Sequence, residues 1–236
     1  MPWGRSFAEY TIMFGLTDRE LDRAIVDCGG GPASFNAALT QQGGRVTSCD
    51  PLYRCETGQI RQQVEVTFAQ ILEQVKCNRD RYVWRDIASP EHLGETRMQA
   101  MSAFLDDYDR GKQEGRYVVG ALPDLPFAPR QFELGLCSHF LFTYGDRFSL
   151  DFHVAAMLDM LRVATEIRVF PLVDLSGQPS PLLDPARQAL CDVGYQSDVM
   201  KTAYEFQRGG NHFLRVSGIP SREILSERSL KWETAK

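Results

Sequence analysis

Three consecutive glycines, Gly29-Gly30-Gly31, close the apolar run Ala24-Ile25-Val26-Asp27-Cys28 and stand just ahead of a helical pattern in Phe35, Ala38 and Leu39. A short buried strand that turns at once into a helix is the first half of a crossover unit, and such units build parallel sheets with helices on their faces. Gly43-Gly44 ends that helix, and residues 46–49 read as the next strand, stopped by Asp50-Pro51. An α/β protein is therefore expected, with ligands bound beyond the carboxyl ends of its strands.

The pattern then changes. Residues 52–115 are polar, with Val64, Phe68, Ile71, Leu72 and Val75 at helical spacing and a second helix predicted over 95–108 from Met98, Met101, Phe104 and Leu105. This is far longer than an ordinary connection, so it reads as an inserted helical subdomain after the second strand and a substrate cap. Strands are predicted at 117–120, 132–138, 166–170, 197–203 and 212–216, with helices at 154–161 and 185–193. The division is an amino-terminal lid segment over 1–23, a sheet domain over 24–51 and 116–217, the insertion over 52–115, and a charged tail over 218–236.

At 236 residues the chain can bury a proper core without a disulfide or metal staple. The net charge of −5, from 26 basic and 31 acidic residues, argues against a protein whose main affinity is for nucleic-acid phosphates. Apolar runs are too short for a membrane span and the amino terminus lacks a secretory pattern, so a cytoplasmic protein is expected. Cys28, Cys49, Cys55, Cys77, Cys137 and Cys191 show no metal-ligand spacing and read as buried reduced thiols. Asp106, Asp107 and Asp109 read as a solvated helix face in preference to a metal site. No metal is expected, and His92, His153 and His212 are left as structural residues.

The glycine loop carries the chemistry. Asp27-x-Gly29-x-Gly31 sits where backbone must approach a ligand and helix-start amides point outward. Asp50, 19 residues after Gly31, ends the next strand, where a carboxylate can accept hydrogen bonds from both ribose hydroxyls. Two nucleotides compete. A dinucleotide fold wants a third glycine where this chain has Ser34, and a carboxylate at Asp27 would repel a pyrophosphate. An S-adenosylmethionine site has no pyrophosphate, and Asp27 could face the ligand's amino group directly or through water.

Asp27-Cys28-Gly29-Gly30-Gly31-Pro32-Ala33 resembles the first motif of the class I S-adenosylmethionine-dependent methyltransferases, and Val46-Thr47-Ser48-Cys49-Asp50-Pro51 is similar to their second strand with its ribose-binding acid. Gly120-Ala121-Leu122-Pro123-Asp124-Leu125-Pro126-Phe127 is similar to the adenine-contacting stretch, and Phe132-Glu133-Leu134-Gly135-Leu136-Cys137-Ser138 to the fourth strand. The resemblance covers about 24–50 and 117–216. It implies a Rossmann-like, doubly wound, seven-stranded mixed sheet whose last strand is antiparallel. It also implies a donor site made by Arg5, Asp27, Gly29, Gly30, Gly31, Pro32, Asp50, Pro51, Ala121, Leu122 and Ser138. Many members carry Asp where this chain has Ala121, which leaves adenine to backbone near Leu122 and to apolar contact. In this family such lead-ins fold over the donor, with Arg5 placed for the methionyl carboxylate and Tyr10 nearby; on packing alone Trp3, Phe7 and Tyr10 are anchors.

His139, just past the fourth strand, is a candidate general base or acceptor-positioning group, because imidazole titrates near neutrality. The plainer reading is a polar residue hydrogen-bonded at a strand end. Glu205, in the loop before the last strand, is a second base candidate, against a glycine-rich turn with solvated charges. The expected function is methyl transfer from S-adenosylmethionine to a small-molecule acceptor. The alternatives are a nicotinamide-dependent oxidoreductase and a non-catalytic S-adenosylmethionine sensor.

Overall fold

Alternation along the strands sorts the apolar side chains onto two faces of one sheet. The computed structural model describes residues 3–218. Its strands are β1 (Ala24–Cys28), β2 (Arg45–Cys49), β3 (Tyr117–Val118), β4 (Phe132–Ser138), β5 (Ala164–Phe170), β6 (Gln196–Lys201) and β7 (His212–Ser217), laid side by side in the order β3-β2-β1-β4-β5-β7-β6. The first five are parallel, and β7 runs antiparallel to both neighbours. This is the expected seven-stranded mixed sheet.

Ile25, Leu134 and Leu136 face one core with Met13, Phe14, Phe35 and Leu39, from α1 (Phe7–Met13) and α3 (Phe35–Gln41). Val26, Cys137, Ile167 and Val169 face the other, with Met157 and Leu161 of α6 (Leu150–Val163) and Ala186 and Leu190 of α7 (Leu183–Asp192). The short α2 (Asp18–Leu21) leads into β1. Strands β1 and β4 are covered on both faces, which is why they read as near-continuous apolar runs.

The segment after β2 forms α4 (Thr57–Cys77) and α5 (Pro90–Gln113), which pack against each other. Helix α5 starts earlier than its apolar spacing suggested, because the Ser89 hydroxyl accepts from the His92 amide at 3.1 Å and Pro90 opens the first turn. Its carboxyl-terminal half packs on α3 and runs into β3, so it doubles as the crossover helix between β2 and β3. The insertion is thus continuous with the sheet layer. The Arg116 guanidinium makes the join, donating to Asn36 Oδ1 at 2.6 Å and Asp107 Oδ2 at 2.7 Å, while Asn36 Nδ2 donates to Ser48 Oγ at 3.1 Å.

Two expectations are corrected. Asp107 is not on a solvated face: it is buried and accepts from Arg110, Arg116 and the Tyr117 hydroxyl. Burial would raise its carboxyl, but those bonds hold it below the usual carboxylate range. Of the cysteines, Cys28, Cys49 and Cys137 are buried, whereas Cys55 is half-buried and Cys77 and Cys191 are exposed at the ends of helices α4 and α7. His153 is buried with its ring nitrogens against the Ser149 and Leu141 carbonyls, and His92 Nδ1 accepts from the Ala88 amide, as structural residues would. No helix among the described residues is long and apolar enough to cross a membrane. Beyond residue 218 the expected tail lies outside the described residues, as do residues 1 and 2.

Asp107→Ala removes the buried carboxylate that Arg110, Arg116 and Tyr117 share at the junction of α3, α5 and β3, leaving Arg116 with Glu114 and Asn36, a loss of about 3 kcal/mol. Urea unfolding should show a lower midpoint at unchanged slope. A change below about 1 kcal/mol would mean that this network does not hold the insertion to the sheet.

Candidate functional site

The turn after β1 is shaped by its glycines. Gly29 and Gly31 have φ of 70° and 53°, a region that favours residues without a β-carbon. The Gly29 amide donates to the Cys49 carbonyl at 2.8 Å, the Gly31 amide to Asp50 Oδ2 at 3.0 Å, and the Tyr53 hydroxyl to the Gly31 carbonyl at 2.8 Å. Strand β2 and the turn after it therefore hold the loop from one side. The lead-in holds it from the other: the Arg5 carbonyl accepts from the Ser34 amide at 3.0 Å, and a β-carbon on Gly4 would lie 2.0 Å from the Pro32 carbonyl oxygen.

Above the loop opens a cleft of about 810 Å³, within the ordinary range for small-molecule sites. Arg5, Gly29, Gly30, Gly31, Pro32, Asp50, Pro51, Ala121, Leu122, Ser138 and His139 all line it. The sequence placed these residues on five separate segments, and the sheet brings them to one place at the carboxyl ends of β1, β2 and β4.

Asp27 is the exception and a correction. Its carboxylate does not line the cleft but turns under the loop, where it accepts from the Tyr10 hydroxyl and from Ser48 Oγ, each at 3.2 Å. A β-carbon on Gly30 would stand 2.2 Å from Asp27 Oδ2. Burial pushes this carboxyl up to about 7, against the Tyr10 and Ser48 hydrogen bonds that favour its charged form, and the Asp50 charge adds to the rise.

Glu205 is the second correction. The Gly209 amide donates to Glu205 Oε1 at 2.9 Å, which ties the side chain into its own turn, and the residue lines a separate hollow with Ile12, Val83 and Asp86. Its neighbours Phe206 and Gln207 face the cleft, and Phe206 lines the hollow as well. The Phe206 ring stacks on Tyr82 at 4.8 Å, the Val83 amide donates to the Phe206 carbonyl at 2.8 Å, and the loop between α4 and α5 thereby meets the segment before β7 at the cleft.

His139 stands at the cleft wall with φ of 52°, a conformation that costs a residue with a β-carbon about 1 kcal/mol. Its amide donates to the Phe170 carbonyl at 2.6 Å, and its Nδ1 is 2.8 Å from the Ser138 hydroxyl. Burial pushes its imidazole well below the ordinary histidine range, and the charges of Arg5 and Arg97 push the same way. The ring is therefore neutral at physiological pH.

Arg97, on α5, is a cleft-lining charge that sequence reading missed. It is 1% exposed, lines the cleft and pairs with Glu9 of α1. Glu9 also accepts from the Ser6 amide at 2.9 Å and the Tyr204 hydroxyl at 3.0 Å. Burial would raise the Glu9 carboxyl, but Arg97, aided by Arg5, holds it at about 2. Among the described residues Arg5 has no such partner. Its Nη1 reaches only the Trp3 carbonyl, at 2.6 Å, and both burial and the Arg97 charge act against its cationic form. Nothing in the spacing of Arg97 marked it, since Arg97 lies 88 residues from Glu9.

Asp27→Asn tests the carboxylate under the loop. A carboxyl raised in the folded state binds its proton more tightly there than in the unfolded chain, so it makes stability fall as pH rises from about 4 to about 7. The variant should match the wild type near pH 4 and exceed it by more than about 1 kcal/mol near pH 8. Chemical denaturation across that window reads the difference, and a constant offset at all pH values would contradict the assignment.

No family model matches the chain. An uncharacterized protein of Methanocaldococcus jannaschii is 29% identical over 90% of this chain and 94% of its own length. Among solved structures, the mitomycin 7-O-methyltransferase MmcR is 13% identical over 90% of this chain and 54% of that one, with a TM-score of 0.50. The magnesium protoporphyrin IX methyltransferase of Synechocystis PCC 6803, solved with bound S-adenosylmethionine, is 13% identical over 89% of this chain and 79% of that one, with a TM-score of 0.45. At such identities the likeness is one of architecture: the chain has the seven-stranded α/β fold of the S-adenosylmethionine-dependent methyltransferases.

Proposed function

We propose that the chain is an S-adenosylmethionine-dependent methyltransferase acting on a small-molecule acceptor. The observation that carries this reading is a single cleft in which a glycine loop, the Asp50 carboxylate and the half-buried Arg5 guanidinium, which has no carboxylate paired to it among the described residues, converge. A nucleoside bearing an amino acid offers one group to each. Asp50 accepts one backbone amide on each oxygen, from Gly31 and Leu52, and keeps a lone pair on each for ribose hydroxyls. Ala121 and Leu122 supply apolar contact to adenine. Arg5 takes the carboxylate, which pairs a half-buried cation. Asp27 acts from beneath, through Tyr10 and the close approach of Gly30, by fixing the loop.

When bound, the donor supplies an electrophilic methyl with its leaving group already attached, so the protein's task is largely to align the acceptor. The neutral His139 imidazole can orient an acceptor or take its proton, although its lowered basicity favours orientation. The α4–α5 helices and Phe206 keep water from the reacting atoms. This role for residues 52–115 rests on Tyr82 and Phe206 meeting over the cleft.

Calorimetric titration with S-adenosylmethionine, S-adenosylhomocysteine and NAD is the first test. Both sulfur ligands should bind and NAD should not; the reverse pattern overturns the proposal in favour of an oxidoreductase. Asp50→Ala should weaken S-adenosylhomocysteine by about tenfold or more, from the loss of charged hydrogen bonds to ribose. Transfer of a labelled methyl group to a component of a cell extract separates an enzyme from a sensor. His139→Ala should lower that transfer while S-adenosylhomocysteine affinity stays within about twofold.

A further inference from the structure

Among the described residues, five buried side-chain polar atoms have no hydrogen-bond partner: Trp3 Nε1, Arg5 Nε, Thr40 Oγ1, Arg97 Nη2 and Thr143 Oγ1. All but Thr40 belong to residues that line the cleft. An unmet buried donor costs about 1–3 kcal/mol, and more when charged, so folded proteins keep few of them. Their gathering at one cleft marks them as donors for a ligand, and Arg97 is the best defined. Its Nη1 is held by Glu9, and Glu9 is already occupied by the Ser6 amide and hydroxyl and by the Tyr204 hydroxyl. Nη2 is fixed in place by that pair and left free.

We infer that the acceptor carries a carboxylate on an apolar body, and that Arg97 Nη2 receives the carboxylate. The inference rests on the methyltransferase reading for the word acceptor. The charge balance supports it: Arg5 and Arg97 are offset by Glu9 and Asp50. The donor, with one carboxylate, an ammonium and a sulfonium, adds one net positive charge to the cleft. A monoanionic acceptor returns it toward neutrality. Because the transfer turns the sulfonium into a neutral thioether, the same anion is held less tightly beside the products. A dianion suits the cleft less, since Glu9, Asp27 and Asp50 stand close by. The apolar body has its place under the Tyr82–Phe206 stack, beside Ile71, Val75 and Leu93.

Three matched pairs test this: benzoate, 4-hydroxybenzoate and indole-3-carboxylate, each against its amide, titrated into the full chain with and without saturating S-adenosylhomocysteine. At least one acid should bind about tenfold or more tighter than its amide. Arg97→Lys keeps the charge opposite Glu9 but has no Nη2, and should bring that preference below about threefold. No preference for any acid, or an equal preference in Arg97→Lys, overturns the inference. Phenyl phosphate binding ahead of every acid also overturns it and reassigns the site to a phosphate. Should Arg97→Lys fail to fold, the wild-type ratio decides the carboxylate and a co-crystal with the tightest acid decides its position: a carboxylate away from Arg97 overturns the assignment. S-adenosylhomocysteine, titrated alone, reports separately on the donor site. Its failure to bind sinks the methyltransferase reading and leaves the acid-to-amide ratio readable.

Discussion

Arg97 is buried and Arg5 stands half-buried within reach of its charge, and among the described residues Glu9 is the one carboxylate that pairs with either, bonding Arg97. Taking a guanidinium out of water is costly unless an anion meets it, so this imbalance constrains everything around the cleft. The Glu9–Arg97 pair is the part that is satisfied. It ties α1 to α5 and, through the Tyr204 hydroxyl, to the loop before β7. Arg5 is the part left unsatisfied, and it stands beside the glycine loop. A ligand that brings a carboxylate to that point completes the electrostatics of the folded protein as well as occupying a site.

The same pair explains how three distant segments close over one sheet edge. The lead-in packs by aromatic stacking, with Tyr10 on Phe35 at 4.6 Å and Phe7 on Phe35 at 5.8 Å. The loop between α4 and α5 meets the β6–β7 loop through an antiparallel bridge between Tyr82 and Gln207 and through the Phe206 stack. Each contact is modest alone. With Glu9 and Arg97 between them, the lead-in, helix α5 and the β6–β7 loop are tied to one another, and the lead-in meets the glycine loop where Gly4 approaches Pro32.

Much of this was legible in the sequence because it depends on local periodicity. The strands at β1, β2, β4, β5 and β7, the glycine turn and Asp50 all follow from short patterns whose meaning does not change with context. What was not legible depends on contacts far apart along the chain. Asp27 lies on the same strand face as Ile25, so alternation turned it toward Tyr10, but only the packing of α1 shows what waits there. Glu205 and Gln207 lie two residues apart in one loop, and of the two only Gln207 faces the cleft. Arg97 looked like any polar helix residue until Glu9 was brought against it.

The account depends most on Arg5 being an unpaired cation that awaits the amino-acid end of the donor. Comparing S-adenosylhomocysteine with 5′-methylthioadenosine, which lacks that end, in the wild type and in Arg5→Met tests it directly. The wild type should prefer S-adenosylhomocysteine by about a hundredfold, and Arg5→Met should bring the ratio below about tenfold. An equal ratio in the two proteins would contradict the account.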